Sequence, residues 1–210
     1  AHHIQYEVED IENILSTLPY ELTTSQKKSL WEILQDISRP HPMNRLLQGD
    51  VGSGKTIVAG IAAITAARGP NNLQAAFMAP TEILARQHYQ TLTKIFQDFP
   101  GGIALLLAKE ARAFYGNRLE APVKKAQLVK DIAGGKIKIV IGTHALIQKT
   151  VSFSRLGLVI VDEQHRFGVQ QRASLIRSGF ISPHYLSMSA TPIPRTLMLS
   201  VFGDLDLSLI

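Results

Sequence analysis

The chain has 210 residues, 45% of them hydrophobic, which is enough to bury one sizeable core as a single domain. The absence of cysteine excludes disulfides and thiolate metal sites and fits a cytosolic enzyme, no apolar run approaches the length of a membrane span, and nothing at the start reads as a signal peptide. A formal net charge of +5 suits a polyanionic partner but decides little by itself.

Residues 1–19 combine acids (Glu7, Glu9, Asp10, Glu12) with Ile11, Ile14, Leu15 and Leu18 at roughly helical spacing, which predicts a linker or a lead-in helix. His2 and His3 read as a solvated terminal pair rather than a metal site. Leu30, Ile33, Leu34 and Ile37 recur at i, i+3, i+4 and i+7, which predicts an amphipathic helix over 23–38. Thr23-x-x-Gln26 at its start fits a capping box, and Pro40 and Pro42 break the helix.

A buried strand over 45–48 then leads into Gly49-Asp50-Val51-Gly52-Ser53-Gly54-Lys55-Thr56, with an Ala- and Ile-rich helix over 57–68 behind it. The stretch matches the phosphate-loop pattern G-x-x-x-x-G-K-[ST] at every specified position. The glycines let the backbone turn tightly with its N–H groups inward, making with the helix N-terminus a cradle for phosphates. Lys55 would reach the β- and γ-phosphates, and the Thr56 hydroxyl would ligate Mg²⁺. A turn that merely joins strand to helix does not require Lys-Thr after the last glycine.

Further strands are expected over 75–79, 103–107, 137–141, 158–161 and 185–188. Helices are expected after the Thr81 cap and over 123–133, the latter stopped by Gly134-Gly135. Leu84, His88, Leu92, Ile95 and Phe96 would line the inner face of the first of these helices, so His88 reads as a core histidine. Residues 108–122 show no readable element. The alternation predicts a doubly wound, mainly parallel α/β sheet with helices on both faces, binding ligands at the carboxyl ends of its strands. The apolar run Leu158-Val159-Ile160-Val161 ends in Asp162-Glu163. Beside a phosphate loop, Asp162 could hold Mg²⁺ and Glu163 could polarise the attacking water.

Asp162-Glu163-Gln164-His165 resembles the Walker B motif of the superfamily 2 helicases in its DExH form. In the family's order, residues 79–88 resemble motif Ia, residues 142–148 motif Ib, Ser189-Ala190-Thr191-Pro192 motif III, and Leu22-Thr23-x-x-Gln26 the adenine-reading Q motif. Residues 45–56, 162–169 and 190–196 are similar to the RecG family of bacterial branched-DNA helicases. The transcription-repair coupling translocases, the alternative, typically carry Glu where Gln164 stands and Phe where Ser53 stands. A metabolite kinase would have no use for motifs Ib and III.

The resemblance covers roughly residue 18 onward and implies a RecA-like first motor lobe over 20–210, using ATP and Mg²⁺ and acting on branched or duplex DNA in repair and recombination. It implies a phosphate cradle of Gly49, Gly52, Ser53, Gly54, Lys55 and Thr56, adenine contacts from Gln26 with Tyr20 as a stacking partner, and metal ligation by Thr56 and Asp162. Catalysis would fall to Glu163, Lys55 and Asp162. Arg86, Thr143 and His144 would track a nucleic-acid backbone, and Ser189, Thr191, Gln164, His165 and Arg195 would couple the two sites. In place of the family's Thr-Gly-type turn the chain has Leu107-Ala108-Lys109-Glu110, which reads as an insertion. The family's wedge domain and second lobe, with its arginine finger, would be partners outside this chain. The chain alone is therefore expected to bind ATP but turn it over poorly. A monomeric, cytoplasmic, nucleoid-associated bacterial protein is the expected setting.

Overall fold

A computed structural model of the chain describes residues 2–117, 119–143, 146, 151–162, 182–192 and 205–210. The lead-in segment forms α1 (Val8–Ser16), which buries Ile11 and Ile14. Next comes α2 (Thr24–Ile37), and its capping box is complete: Gln26 N donates to Thr23 Oγ1 at 3.2 Å, and Thr23 N donates to Gln26 Oε1 at 2.9 Å. The chain continues through β1 (Asn44–Gln48), α3 (Lys55–Arg68), β2 (Gln74–Met78), α4 (Glu82–Ile95) and β3 (Ile103–Leu106). It then forms β4 (Ala111–Phe114), β5 (Glu120–Pro122), α5 (Lys125–Ala133), β6 (Ile139–Gly142), β7 (Leu156–Asp162), β8 (His184–Ser189) and β9 (Asp206–Leu209).

All nine strands join one sheet in the order β5-β4-β3-β6-β2-β7-β8-β1-β9. From β3 to β9 the neighbours pair parallel, and β3-β4 and β4-β5 pair antiparallel. Successive strand residues point to opposite faces, so each central strand feeds two cores. Phe77, Ile141 and Ile160 pack with α1 to α4, whereas Met78, Val140 and Val159 pack with α5. Helices on both faces of a mostly parallel sheet are the expected architecture. Every residue of α3 from 57 to 67 is buried, because this helix has the sheet on one side and other helices on the other.

Three expectations change. The stretch 108–122, read as an insertion without regular structure, adds β4 and β5 to the sheet edge, entered through a turn in which Leu107 N donates to Glu110 O. β9, not anticipated, pairs with β1 at the opposite edge. The N-terminus docks through its backbone, with Ile4 buried, Ile4 N donating to Ile37 O and the His2 carbonyl meeting His184 Nε2 at 2.6 Å, whereas His3 stays exposed as expected. Arg45, inside the buried β1, is matched by Asp36 of α2, with Nε–Oδ2 at 2.9 Å and Nη2–Oδ2 at 2.7 Å. A third bond runs from its Nη1 to Ser208 of β9. A charge this buried is tolerable only when paired and hydrogen-bonded in this way.

Candidate nucleotide site

The carboxyl ends of β1, β8 and β7 lie side by side, and the candidate residues gather there. Gly49 follows β1 and its N–H donates to the carbonyl of Ser189, the last residue of β8, at 3.1 Å. Asp162 ends β7, in register with Met188 of β8. The phosphate loop crosses this edge into α3. Gly54 holds φ +90°, the left-handed region open to glycine, and a Cβ there would meet Gln26 Nε2 at 2.4 Å. Gly49 is constrained by space alone, since its Cβ would meet Ser53 Oγ at 2.7 Å and the Ile210 carbonyl at 2.8 Å.

Lys55 turns back over the loop, its Nζ donating to the carbonyls of Gly49 at 2.6 Å and Asp50 at 2.8 Å. The ammonium therefore sits where the loop closes and can exchange these carbonyls for phosphate oxygens. The Ser53 hydroxyl is buried, with no hydrogen-bond partner among the described residues. The Gln26 amide is used twice: Oε1 caps α2, and Nε2 donates to the Ser53 carbonyl at 2.8 Å. The capping and site roles thus coexist in one side chain, which still has a second amide hydrogen and a second oxygen lone pair to offer.

Thr56 and Asp162, the two expected metal ligands, meet through a third residue. Thr56 Oγ1 lies 3.3 Å from His88 Nδ1, and Asp162 Oδ2 lies 2.6 Å from His88 Nε2. His88 is buried, as a core histidine should be, and its ring packs on Phe77 with centroids 4.7 Å apart. Sequence reasoning missed its two polar partners. The available signal was a ring with two hydrogen-bonding nitrogens on the buried face of α4, the helix that leaves β2 beside β7.

The remaining candidates divide. Ser189 is buried and its Oγ accepts from Thr191 N at 3.2 Å, so the third motif is folded on itself next to the loop. Thr143 follows β6 at the same sheet edge. Arg86, on the outward side of α4, donates to Glu110 at 2.7 Å and to Glu82 at 3.3 Å. These bonds from Arg86, and a second guanidinium from Arg112, hold the Glu110 carboxyl below the usual range. Tyr20 stands apart. It is half-exposed and lines one cleft with Ile64 and Arg68, toward the far end of α3, and another with Leu22 and Lys27. Glu163, Gln164, His165, His144 and Arg195 lie outside the described residues.

The family model for DEAD/DEAH box helicases matches residues 23–199, and the chain belongs to that family. It is 50% identical over 198 residues to the ATP-dependent DNA helicase RecG of Synechocystis sp., covering 94% of this chain and 22% of that protein. To the ATP-dependent DNA helicase RecG of Streptococcus pneumoniae it is 47% identical over 207 residues, 99% of this chain and 29% of that protein. The chain thus spans less than a third of the length of these relatives. Among solved structures, RecG bound to a three-way DNA junction superposes with a TM-score of 0.79 and 41% identity, over 98% of this chain and 26% of that one.

Proposed function

We propose that this chain is the ATP-binding motor lobe of a RecG-type, ATP-dependent DNA helicase, in which hydrolysis drives the remodelling of branched DNA. One observation carries the reading: Thr56 of the phosphate loop and Asp162 of β7 converge on opposite nitrogens of one imidazole, at the carboxyl ends of the strands. One hydroxyl and one carboxylate are an all-oxygen donor set. That suits Mg²⁺, which keeps several waters and takes further oxygens from substrate phosphates. Held by Thr56 and Asp162, the ion would supply positive charge to neutralise what develops during phosphoryl transfer.

The chain's own residues divide the remaining work. Lys55 gives up the Gly49 and Asp50 carbonyls for phosphate oxygens, and the loop N–H groups hold the rest of the anion. Gln26 offers its remaining amide donor to the base, with Tyr20 as the stacking partner if the segment before α2 draws in. Glu163, next after β7, polarises the attacking water. The Gly49–Ser189 hydrogen bond supports a coupling role for Ser189 and Thr191, since a shift of the loop strains the end of β8. Arg86, Thr143 and His144 are assigned to the nucleic-acid backbone, and Gln164, His165 and Arg195 to coupling, on the likeness to RecG. The transition-state arginine comes from a facing lobe and is worth roughly 10³–10⁵ in rate, so the chain alone turns over poorly.

The two acids provide the test. In the intact gene product Glu163→Gln keeps size and hydrogen-bonding reach but loses basicity. It is expected to bind Mg²⁺ and ATP, fail to hydrolyse, and persist on branched DNA. Asp162→Asn is expected to weaken the metal contact, so its hydrolysis recovers in part as Mg²⁺ is raised. Hydrolysis is measured against Mg²⁺ for both variants, with DNA retention in ATP. Rescue of Glu163→Gln by Mg²⁺ without rescue of Asp162→Asn reverses the assigned roles.

A further inference from the structure

His88 has no part in the phosphate-loop pattern or the pair of acids, yet it joins them. It lies on the buried face of α4 with Ala85, Tyr89 and Leu92, and its ring packs against Phe77. Packing alone would need only a flat ring there. Instead both ring nitrogens have polar partners, one on α3 and the other at the end of β7.

We propose that His88 is the positioning residue of the metal site, an imidazole that presents Thr56 and Asp162 to Mg²⁺. The inference rests on the reading of those two residues as metal ligands. A carboxylate only accepts, so the ring proton is on Nε2 and is donated to Asp162 Oδ2. Where the ring carries that one proton, Nδ1 accepts the Thr56 hydroxyl proton. A threonine hydroxyl has one proton and two lone pairs. With the proton held on Nδ1, a lone pair is kept for the ion, whereas a free rotor could aim its proton there. On the other side, the bond to Oδ2 fixes the carboxylate plane and leaves Oδ1 to receive the ion or one of its waters. The ring also fixes the spacing between the ligands, which belong to residues 106 positions apart on separate elements. Partners of this kind, one bond behind the ligands, typically change metal affinity 10–100-fold when lost.

The test separates positioning from packing. His88→Phe keeps a ring against Phe77 but removes both hydrogen bonds, and His88→Gln keeps an amide donor toward Asp162 while its acceptor oxygen sits on the same terminal amide, not at the place of Nδ1. A fluorescent ATP analogue is titrated into the intact gene product, first in EDTA and then at rising Mg²⁺, with melting temperature as the check on folding. His88→Phe is expected to raise the Mg²⁺ concentration for half-maximal tightening about tenfold or more, with affinity in EDTA unchanged. His88→Gln is expected to fall between His88→Phe and wild type, and it carries the test if His88→Phe does not fold. Wild-type Mg²⁺ midpoints in the folded His88 variants, beside a raised midpoint in Asp162→Asn, overturn the proposal and leave the metal reading standing. Equal losses with and without Mg²⁺ also overturn it, because they mark a distorted loop rather than a misplaced ligand pair. Unmoved midpoints in Asp162→Asn and Thr56→Ala as well overturn the metal reading and the proposal together.

Discussion

The two ends of α3 meet different surroundings. At its N-terminus the helix receives the glycine loop, with Lys55, Thr56, His88, Asp162 and Ser189 close by, and its dipole favours an anion. At its C-terminus Thr65, Arg68 and Gly69 face α1 and the docked N-terminal segment, around clefts of about 560 and 540 Å³. Clefts of this size thus occur at the end without phosphate chemistry. Volume is a poor guide here because a phosphate site is made of backbone N–H groups, a cation and a few fixed oxygens. Those groups lie close together in a loop that Lys55 already fills. The far end instead is where the chain seals its own core.

If this division holds, damage at one end should leave the other untouched. The largest effect is expected from Lys55→Ala, which removes the loop's only side-chain cation. ATP-analogue affinity should fall at least about 100-fold, in line with loss of one partner from a desolvated charge pair, while the melting temperature without nucleotide barely moves. Unchanged affinity in the titration would take away the basis for the nucleotide site.

Ile11→Ala makes the opposite cut. Ile11 is 1% exposed on the inner face of α1, and truncating such a side chain costs about 2–5 kcal/mol of stability. Denaturant unfolding should show that loss with nucleotide affinity retained at temperatures where the variant is folded. A parallel loss of affinity would mean that the two ends are one cooperative unit and that the comparison is too simple.

The smallest effect concerns His184, at the start of β8. Its Nδ1 accepts from Met43 N at 3.0 Å and its Nε2 meets the His2 carbonyl, and burial holds its pKa below the ordinary 6.5. The unfolded chain therefore binds more protons at this residue than the folded one below about 6.5, so stability present above that pH is lost as pH falls through and below it. His2 shifts in the same direction, also mainly by burial. Melting temperature followed from pH 7.5 to 5 should drop, and His184→Asn should flatten that slope while lowering stability at neutral pH. A slope that survives the substitution would place the acid-sensitive group elsewhere.

The parts legible in the sequence are those whose cause is local. The capping box of α2 spans four residues and the phosphate loop eight, and the central strands announce themselves by apolar runs buried on both faces. From these followed the fold class, the loop, the acid at the end of β7 and the helicase family. The edge strands were not legible. All three residues of β5 are exposed, and β9 alternates weakly, so a neighbour's hydrogen-bonding edge, not composition, makes them strands. The same holds for the polar groups that fasten the lobe. His88 meets partners 32 and 74 positions away, and His184 meets partners 141 and 182 positions away. A side chain's identity says that it can donate or accept. Which group it finds across such separations depends on strand order and on the helix packed over it, and for this chain only the tertiary structure decided that Thr56 and Asp162 share one imidazole.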